Sequence, residues 1–323
     1  MVAAGCQEHV KLCGASSLEV STVGPQVGLL KAVGMGFSTL TQESSVSVAT
    51  VLGLVSGEGK LPGLLAQSAK ERGYRVVALA LSESAESQVS PHADKTILVA
   101  PGQIGRNIGL LKKEGCSNIV FIGKVPKINL LRQLHKLDWV AVKELSKLPN
   151  FNDDTIQFAV GDIMEAHGLK VLTQSEFLRH LFPEIGVLTS FVPTAAQYAD
   201  VEYGMGVARE IARLDIGQTV IVKDRMILAL EAIEGTDEAI KRAVKLAQGP
   251  VVVCKVSKPN QDQRFDIPTV GMTTLNSMVR DNPNPGGVLA VEAKETLVVE
   301  QDEMIKFAEA NGISIVAAPL PAA

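Results

Sequence analysis

A short apolar run, Val51-Leu52-Gly53-Leu54-Val55, stops at Ser56-Gly57-Glu58-Gly59-Lys60 and gives way to Leu61-Pro62 and a helix-forming stretch that ends at Gly73. A second apolar run follows from Arg75 to Leu81. Strand, glycine turn, helix, strand is the order of a βαβ unit, and parallel strands joined in this way need a sheet covered on its faces. Pro62 suits the first turn of a helix, where its missing N–H costs nothing. Further units continue the pattern. Lys95–Val99 and Asn118–Ile122 read as strands with a helix over Ile104–Gly115 between them. Asp153–Gly168 reads as a helix, Lys170–Leu172 as a strand and Ser175–Leu181 as another helix.

Phe182-Pro183-Glu184-Ile185-Gly186 carries breakers and marks a domain junction. A long helix is predicted over Thr194–Leu214 with Thr194 as its N-cap. Two β-rich runs within Thr219–Glu231 meet at the hairpin Lys223-Asp224-Arg225. A helix over Thr236–Ala247, strands at Pro250–Val256, Val288–Glu292, Thr296–Val299 and Ile313–Val316, and a helix over Gln301–Asn311 complete a mixed α/β unit. Residues 1–49 stand apart: they are sparse in charge, rich in Ser and Thr, lack arginine and hold no sustained apolar period. They read as an upstream extension without the marks of a secretory or transit signal.

Composition narrows the function classes. Lys and Arg total 31 against 35 Asp and Glu, so the net charge of -4 lacks the cationic excess of a general nucleic-acid binder. Aromatics at 4% disfavour a base-stacking surface. No stretch approaches the roughly 20 apolar residues of a membrane span. Cys6, Cys13, Cys116 and Cys254 fit no zinc spacing. Cys116 and Cys254 read as buried small hydrophobes in a reducing cytoplasm.

Three segments carry candidate chemistry. Gly57, Glu58 and Gly59 sit between strand and helix, where backbone amides meet phosphates or, equally, merely turn the chain. Pro62 stands where a dinucleotide fingerprint needs its third glycine, which disfavours a nicotinamide site. The second segment runs from Lys223-Asp224 to Glu231-Ala232-Ile233-Glu234-Gly235-Thr236-Asp237, with three acids spaced three apart at a strand-to-helix turn. Helix capping by Thr236 or Asp237 and an ordinary turn role for Asp224 are the plain alternatives. Carboxylates beside a buried strand end are costly without a partner, which makes a metal–phosphate site reasonable. The third is the loop from Lys255 through Lys258, Gln261, Asp262 and Asp266 to Thr269 and Gly271, leaving a strand at the end where α/β ligands bind. A basic, leucine-bearing stretch from Lys127 to Lys147, with five cations against Asp138 and Glu144, reads as a core-facing helix or a lipid-surface contact.

Taken together, Val51 through Pro62, Pro101-Gly102-Gln103-Ile104-Gly105, Gly123-Lys124-Val125, Asn152-Asp153-Asp154, Gly186-Val187-Leu188-Thr189, Asp215-Ile216-Gly217-Gln218, Lys223-Asp224, Glu231 through Asp237 and Lys258 through Gly271 resemble the LpxI-type UDP-2,3-diacylglucosamine pyrophosphatases of lipid A synthesis. The resemblance covers about residues 50–318. It implies a Rossmann-like N-terminal domain over 50–185, a distinct mixed α/β catalytic domain over 186–323 and a ligand cleft between them. It implies hydrolysis of UDP-2,3-diacylglucosamine to UMP and 2,3-diacylglucosamine 1-phosphate with a divalent cation, Mg²⁺ in the first instance. The essential aspartate would fall on Asp224. Lys223, Glu234 and Asp237 would assist it, and Glu231 would share the metal. Gly57, Glu58, Gly59, Gln103, Lys124, Asp154, Thr189, Gln218, Gly235, Thr236, Lys255, Lys258, Gln261, Asp262 and Thr269 would contact substrate. The implied setting is peripheral to the cytoplasmic face of an inner membrane, with an anionic lipid surface and a homodimer as open expectations. A sensor that binds a nucleotide sugar without cleaving it is the non-enzymatic alternative.

Overall fold

Strand β1 (Val51–Ser56) is buried over all but its first residue and is flanked on both sides by parallel neighbours. Around it the computed structural model, which describes residues 50–125, 137–146, 153–259 and 261–321, builds the predicted α/β layers. Helix α1 (Leu61–Glu71) carries Pro62 in its first turn and buries Leu65, Ala66 and Ala69. Then come β2 (Arg75–Ala80), α2 (Glu83–Val89), β3 (Lys95–Leu98), α3 (Ile104–Lys113), β4 (Asn118–Ile122), α4 (Trp139–Leu145), α5 (Asp153–Ala166), β5 (Lys170–Val171) and α6 (Ser175–Leu178). The five strands pair in the order β3-β2-β1-β4-β5, all parallel. Strand order therefore reverses between β1 and β4, the place where open α/β sheets usually form a crevice.

The second half begins with β6 (Gly186–Val187) and α7 (Ala195–Arg213). Thr194 caps α7 through a capping box with Gln197. After it follow β7 (Thr219–Lys223), β8 (Met226–Leu230), α8 (Thr236–Ala247), β9 (Val251–Lys255), β10 (Thr269–Val270), α9 (Met272–Val279), β11 (Gly287–Glu292), β12 (Leu297–Val298), α10 (Gln301–Ala310) and β13 (Ile313–Ala318). The six-stranded sheet has the order β6-β13-β11-β9-β7-β8. Its centre, β9, β11 and β13, is parallel, and its flanks are antiparallel, so the unit is mixed as the hairpin signals predict.

The two halves do not part cleanly at the breaker segment. Ile267 and Leu297 from the second half are buried in the first half's core beside Leu52, Leu65 and Phe177. Val48–Ala323 accordingly form one compact unit. Cys116 and Cys254 are buried free thiols, as expected, and desolvation pushes the Cys116 thiol up to about 11.

Helix α7 meets the sheet through Gly204, where an added Cβ would stand 2.6 Å from Cys254 Sγ and 3.0 Å from Val222 Cγ2. At Gly206 the same atom would meet nothing within 4 Å. Alanine gains about 1 kcal/mol of helix propensity over glycine, whereas overpacking costs about 1–3 kcal/mol. Gly204→Ala is therefore expected to lower the thermal midpoint and Gly206→Ala to raise it, as measured by circular dichroism melts.

Candidate functional site

The carboxyl end of β9 delivers Lys255 into a buried position, 6% exposed. Its Nζ donates to Thr236 Oγ1 at 3.0 Å, and that hydroxyl donates to Glu231 Oε1 at 2.8 Å. Thr219 Oγ1 lies 3.4 Å from the Thr236 hydroxyl, and Glu231 Oε2 accepts the Gln218 amide at 3.3 Å. The chain folds this way because β7 pairs Thr219 with Lys255 while β8 ends at Leu230, opposite Val220. Three strand ends and the start of α8, with Gly235 in positive φ as its N-cap, thus converge. Desolvation holds the Lys255 ammonium below the usual lysine range, against the attraction of Glu231, Asp266 and Asp237 and with the repulsion of Lys124. Lys124 comes from the loop after β4, so cations from both halves face one region.

Asp266 is the exposed carboxylate of this region, and its Oδ2 accepts the Gln261 amide at 2.9 Å. The sequence places it in the charged loop and gives no sign of its role. Asp262, by contrast, is spent: Arg264 grips both of its oxygens at 2.8–3.1 Å. Burial pushes the Asp262 carboxyl up, but Arg264 more than offsets this and leaves it lowered. Glu292, at the carboxyl end of β11, accepts the Ser257 amide at 2.7 Å, and desolvation raises its carboxyl. It escaped the sequence reading because a lone acid at a strand end carries no motif. Lys258 pairs with Asp215 at 2.6 Å, and Thr269 donates to the Ile267 carbonyl at 2.9 Å.

The structure sends Asp224 elsewhere. Strand β7 separates the hairpin turn from Thr219 by its whole length, roughly 14 Å at about 3.4 Å per residue. Asp224 and Glu231 therefore stand at opposite ends of the hairpin and cannot share one cation, which corrects the expected metal pair. Among the described residues no group of three His, Cys, Asp or Glu side chains is placed to hold a metal. Asp224 and Arg225 both adopt positive φ, 51° and 59°, and Asp200 holds the turn by accepting their amides at 3.0 and 2.7 Å. A cavity of about 230 Å³ beside this turn is lined by Thr194, Gln197, Asp200, Lys223 and Asp224. Lys223 Nζ donates to the Ala247 carbonyl at 3.1 Å, at the C-terminus of α8. Asp200 had no sequence signal, since only the fold brings a mid-helix aspartate to a hairpin.

Other expected contacts are also redistributed. Gly57 and Glu58 donate their amides to the Ile122 and Lys124 carbonyls at 2.8 Å, and Gly59 donates to Gln88 Oε1 at 2.7 Å. The glycine loop is thus zipped to the β4 loop across the switch point, and its amides are not open to phosphate. A Cβ at Gly57 would stand 2.6 Å from the Lys124 carbonyl, so close backbone approach explains this glycine. Glu234 is engaged by Arg242 at 2.7 Å. Thr189 bridges the Phe191 carbonyl and the Ile315 amide near the start of β13, away from Lys255. Gln103 stands at the start of α3, where its Oε1 accepts from Arg106. Asp154 is the second residue of α5, and its side chain lies outside the described residues.

A buried ammonium without a full counter-ion is a net cost to the fold. Lys255→Met is expected to melt at or above the parent temperature at pH 7. The unfolded lysine binds its proton up to a higher pH than the folded one, so parent stability rises with pH between the two pKa values. The variant lacks that rise, and its advantage should narrow as pH approaches the ordinary lysine value of 10.5. Melts across pH check this; a variant several degrees less stable at pH 7 would show Lys255 to be a stabiliser.

Among known proteins, the chain is 30% identical over 280 residues to the UDP-2,3-diacylglucosamine pyrophosphatase LpxI of Caulobacter vibrioides, covering 82% of this chain and 96% of the relative. Solved structures of N5-carboxyaminoimidazole synthetase from Staphylococcus aureus (17% identity, 54% of this chain and 38% of that one, TM-score 0.21) and of an ADP complex of N5-carboxyaminoimidazole ribonucleotide synthetase (18%, 60% and 44%, TM-score 0.22) are too distant to inform fold or function. The chain spans less than half the length of either. The LpxI N-terminal domain pattern matches residues 51–181 and the LpxI C-terminal domain pattern residues 184–316, and the chain belongs to the LpxI family.

Proposed function

We propose that this protein hydrolyses UDP-2,3-diacylglucosamine to UMP and 2,3-diacylglucosamine 1-phosphate at the edge where Lys255, Lys124 and Asp266 meet. Membership of the LpxI family supports the reaction, and the curated pyrophosphatase relative supports the substrate. The observation that carries the location is the buried Lys255 ammonium at the end of β9, held by the Thr236 hydroxyl at 3.0 Å and subject to the charges of Asp266 and of Lys124 from the other half. A diphosphate would give this ammonium an anion to contact directly.

Water attacks one phosphorus, a new P–O bond forms, and the bridging oxygen leaves on the other phosphate. The transferred group is loosely bonded in the transition state, so catalysis consists mainly of charge neutralisation and alignment. Lys255, held by Thr236 and Glu231, would meet phosphate oxygens without reorganising, and Lys124 would add a second cation. Asp266 would orient the water and take its proton. A Mg²⁺ carried by substrate phosphates needs only one or two protein carboxylates, and Asp266 fits as one of them. The cation would supply further neutralisation of the diphosphate. Asp224 offers neither function to this region, given its place at the far end of β7.

A diacylated substrate is an amphiphile, so we also propose a peripheral lipid contact. Trp139 and Val142, nearly one turn apart on α4, are 77% and 45% exposed, with Lys143 beside them. Residues 126–136 and 147 of the basic stretch lie outside the described residues. No helix among the described residues is long and apolar enough to cross a membrane.

UMP release from UDP-2,3-diacylglucosamine, followed with and without chelator, tests the activity. Asp266→Asn and Lys255→Met are each expected to lower kcat about 100-fold, while Asp224→Asn stays within about threefold of the parent. The reverse ranking would move the centre to the hairpin turn. Trp139→Glu is expected to reduce co-sedimentation with anionic vesicles severalfold; unchanged pelleting would remove α4 from the lipid contact.

A further inference from the structure

Residues 263–267 form a strap by which the second half grips the first. The Gln263 carbonyl accepts the Gln174 amide at 2.9 Å, Arg264 reaches Glu165 at 3.7 Å, and Ile267 is buried in the first half's core. Phe265 stands at the centre of this strap. Its ring lies 5.4 Å from Phe121 of β4 and 5.6 Å from Phe158 of α5, edge-on to the latter, and Arg264 stacks above it at 5.2 Å. The floor of the socket is Gly161, where an added Cβ would stand 2.6 Å from Phe265 Cζ. A glycine inside a helix costs about 1 kcal/mol against alanine. Here the space it leaves is filled by an aromatic ring from the other half. The residue directly after Phe265 is Asp266, the strap's exposed member, whose charge acts on Lys255. The amides of both Phe265 and Asp266 donate to the Asp262 carbonyl, at 3.0 and 3.1 Å, so the two residues belong to one tight turn.

We propose that Phe265 is a positioning residue: seated in the socket over Gly161, it fixes where the turn presents Asp266 to Lys255. Resting on the functional reading above, this adds to it a residue that touches no reacting atom. Aromatic pairing and shape, with the Arg264 guanidinium over the ring, set the geometry.

The test measures kcat and KM for UMP release together with thermal melts. Phe265→Ala is expected to lower kcat at least tenfold with KM within threefold, in a chain that still melts cooperatively. Phe265→Leu, which keeps an apolar plug, should regain most of the loss. Gly161→Ala should lower kcat by pushing the ring from below, and adding Phe265→Leu should relieve that loss. The decisive readout is the pair with Asp266→Asn: if Phe265 acts through Asp266, Phe265→Ala costs little further kcat in that background. Additive losses, or a Phe265→Ala chain with kcat within twofold of the parent, would overturn the proposal while Asp266→Asn alone remains impaired. A fully active Asp266→Asn chain would instead refute the catalytic reading of Asp266, and a parent that releases no UMP would refute the activity and this role with it. Should Phe265→Ala fail to fold, Phe265→Leu and Gly161→Ala decide the matter by the same kcat and KM comparison.

Discussion

Burial of one ammonium group organises the second half of this protein. Lys255 ends a strand whose side chains are all buried, and its position leaves it out of water. A lone charge there is expensive, and the surrounding chain meets it incompletely, with a threonine hydroxyl in direct contact and carboxylates at longer range. On the proposed reading, a diphosphate would meet an arrangement already organised for an anion. Donors are already desolvated and fixed, so little reorganisation is left for the moment of reaction. Lys255 and Glu292 end the parallel strands β9 and β11, and Lys124 follows the parallel strand β4, so all three stand at the carboxyl ends where α/β sheets bind ligands.

Much of the layered fold could be read from the residues because its strands are short apolar runs punctuated by Gly and Pro. Helices with strong stripes, such as Thr236–Ala247, follow the expected span. Helix α2 escaped because only Ala85 and Val89 of Glu83–Val89 are buried, too few to mark a period. The short α9 carries no clean apolar stripe, since Thr274 and Ser277 share its buried positions with Leu275 and Met278. The shared core was not legible either. Ile267 sits between charged residues and a proline, and nothing local says that it belongs to the other half's interior.

The site was harder to read for a geometric reason. Asp224 and Glu231 are seven residues apart along the chain, but a hairpin arm turns that spacing into the length of a strand. Glu231 and Lys255 are far apart in sequence and adjacent in space, because β7 pairs with both β8 and β9. The acids of the charged loop posed the opposite difficulty, being close in sequence but different in circumstance. Arg264 neutralises Asp262 two residues back through a two-pronged contact, whereas Asp266 stays exposed. The sequence contains both acids, yet only the placement of Arg264 between Asp262 and Glu165 separates their roles.

The glycines show how one residue type serves unlike ends in this fold. Gly57 and Gly123 exist for each other: each would press a side chain into the backbone of the opposite loop, and the bridge between Glu58 and Lys124 closes the switch-point crevice. A loop with the outward form of a phosphate cradle thus becomes a structural clasp, and it fixes the backbone from which Lys124 projects. The clasp and the aromatic socket have comparable tasks. One sets the position of a cation from the first half, the other that of a carboxylate from the second, and the buried Lys255 lies within reach of both charges. On the proposed reading, a water and a diphosphate would meet charges whose backbone on each side is already tied down by hydrogen bonds and packing.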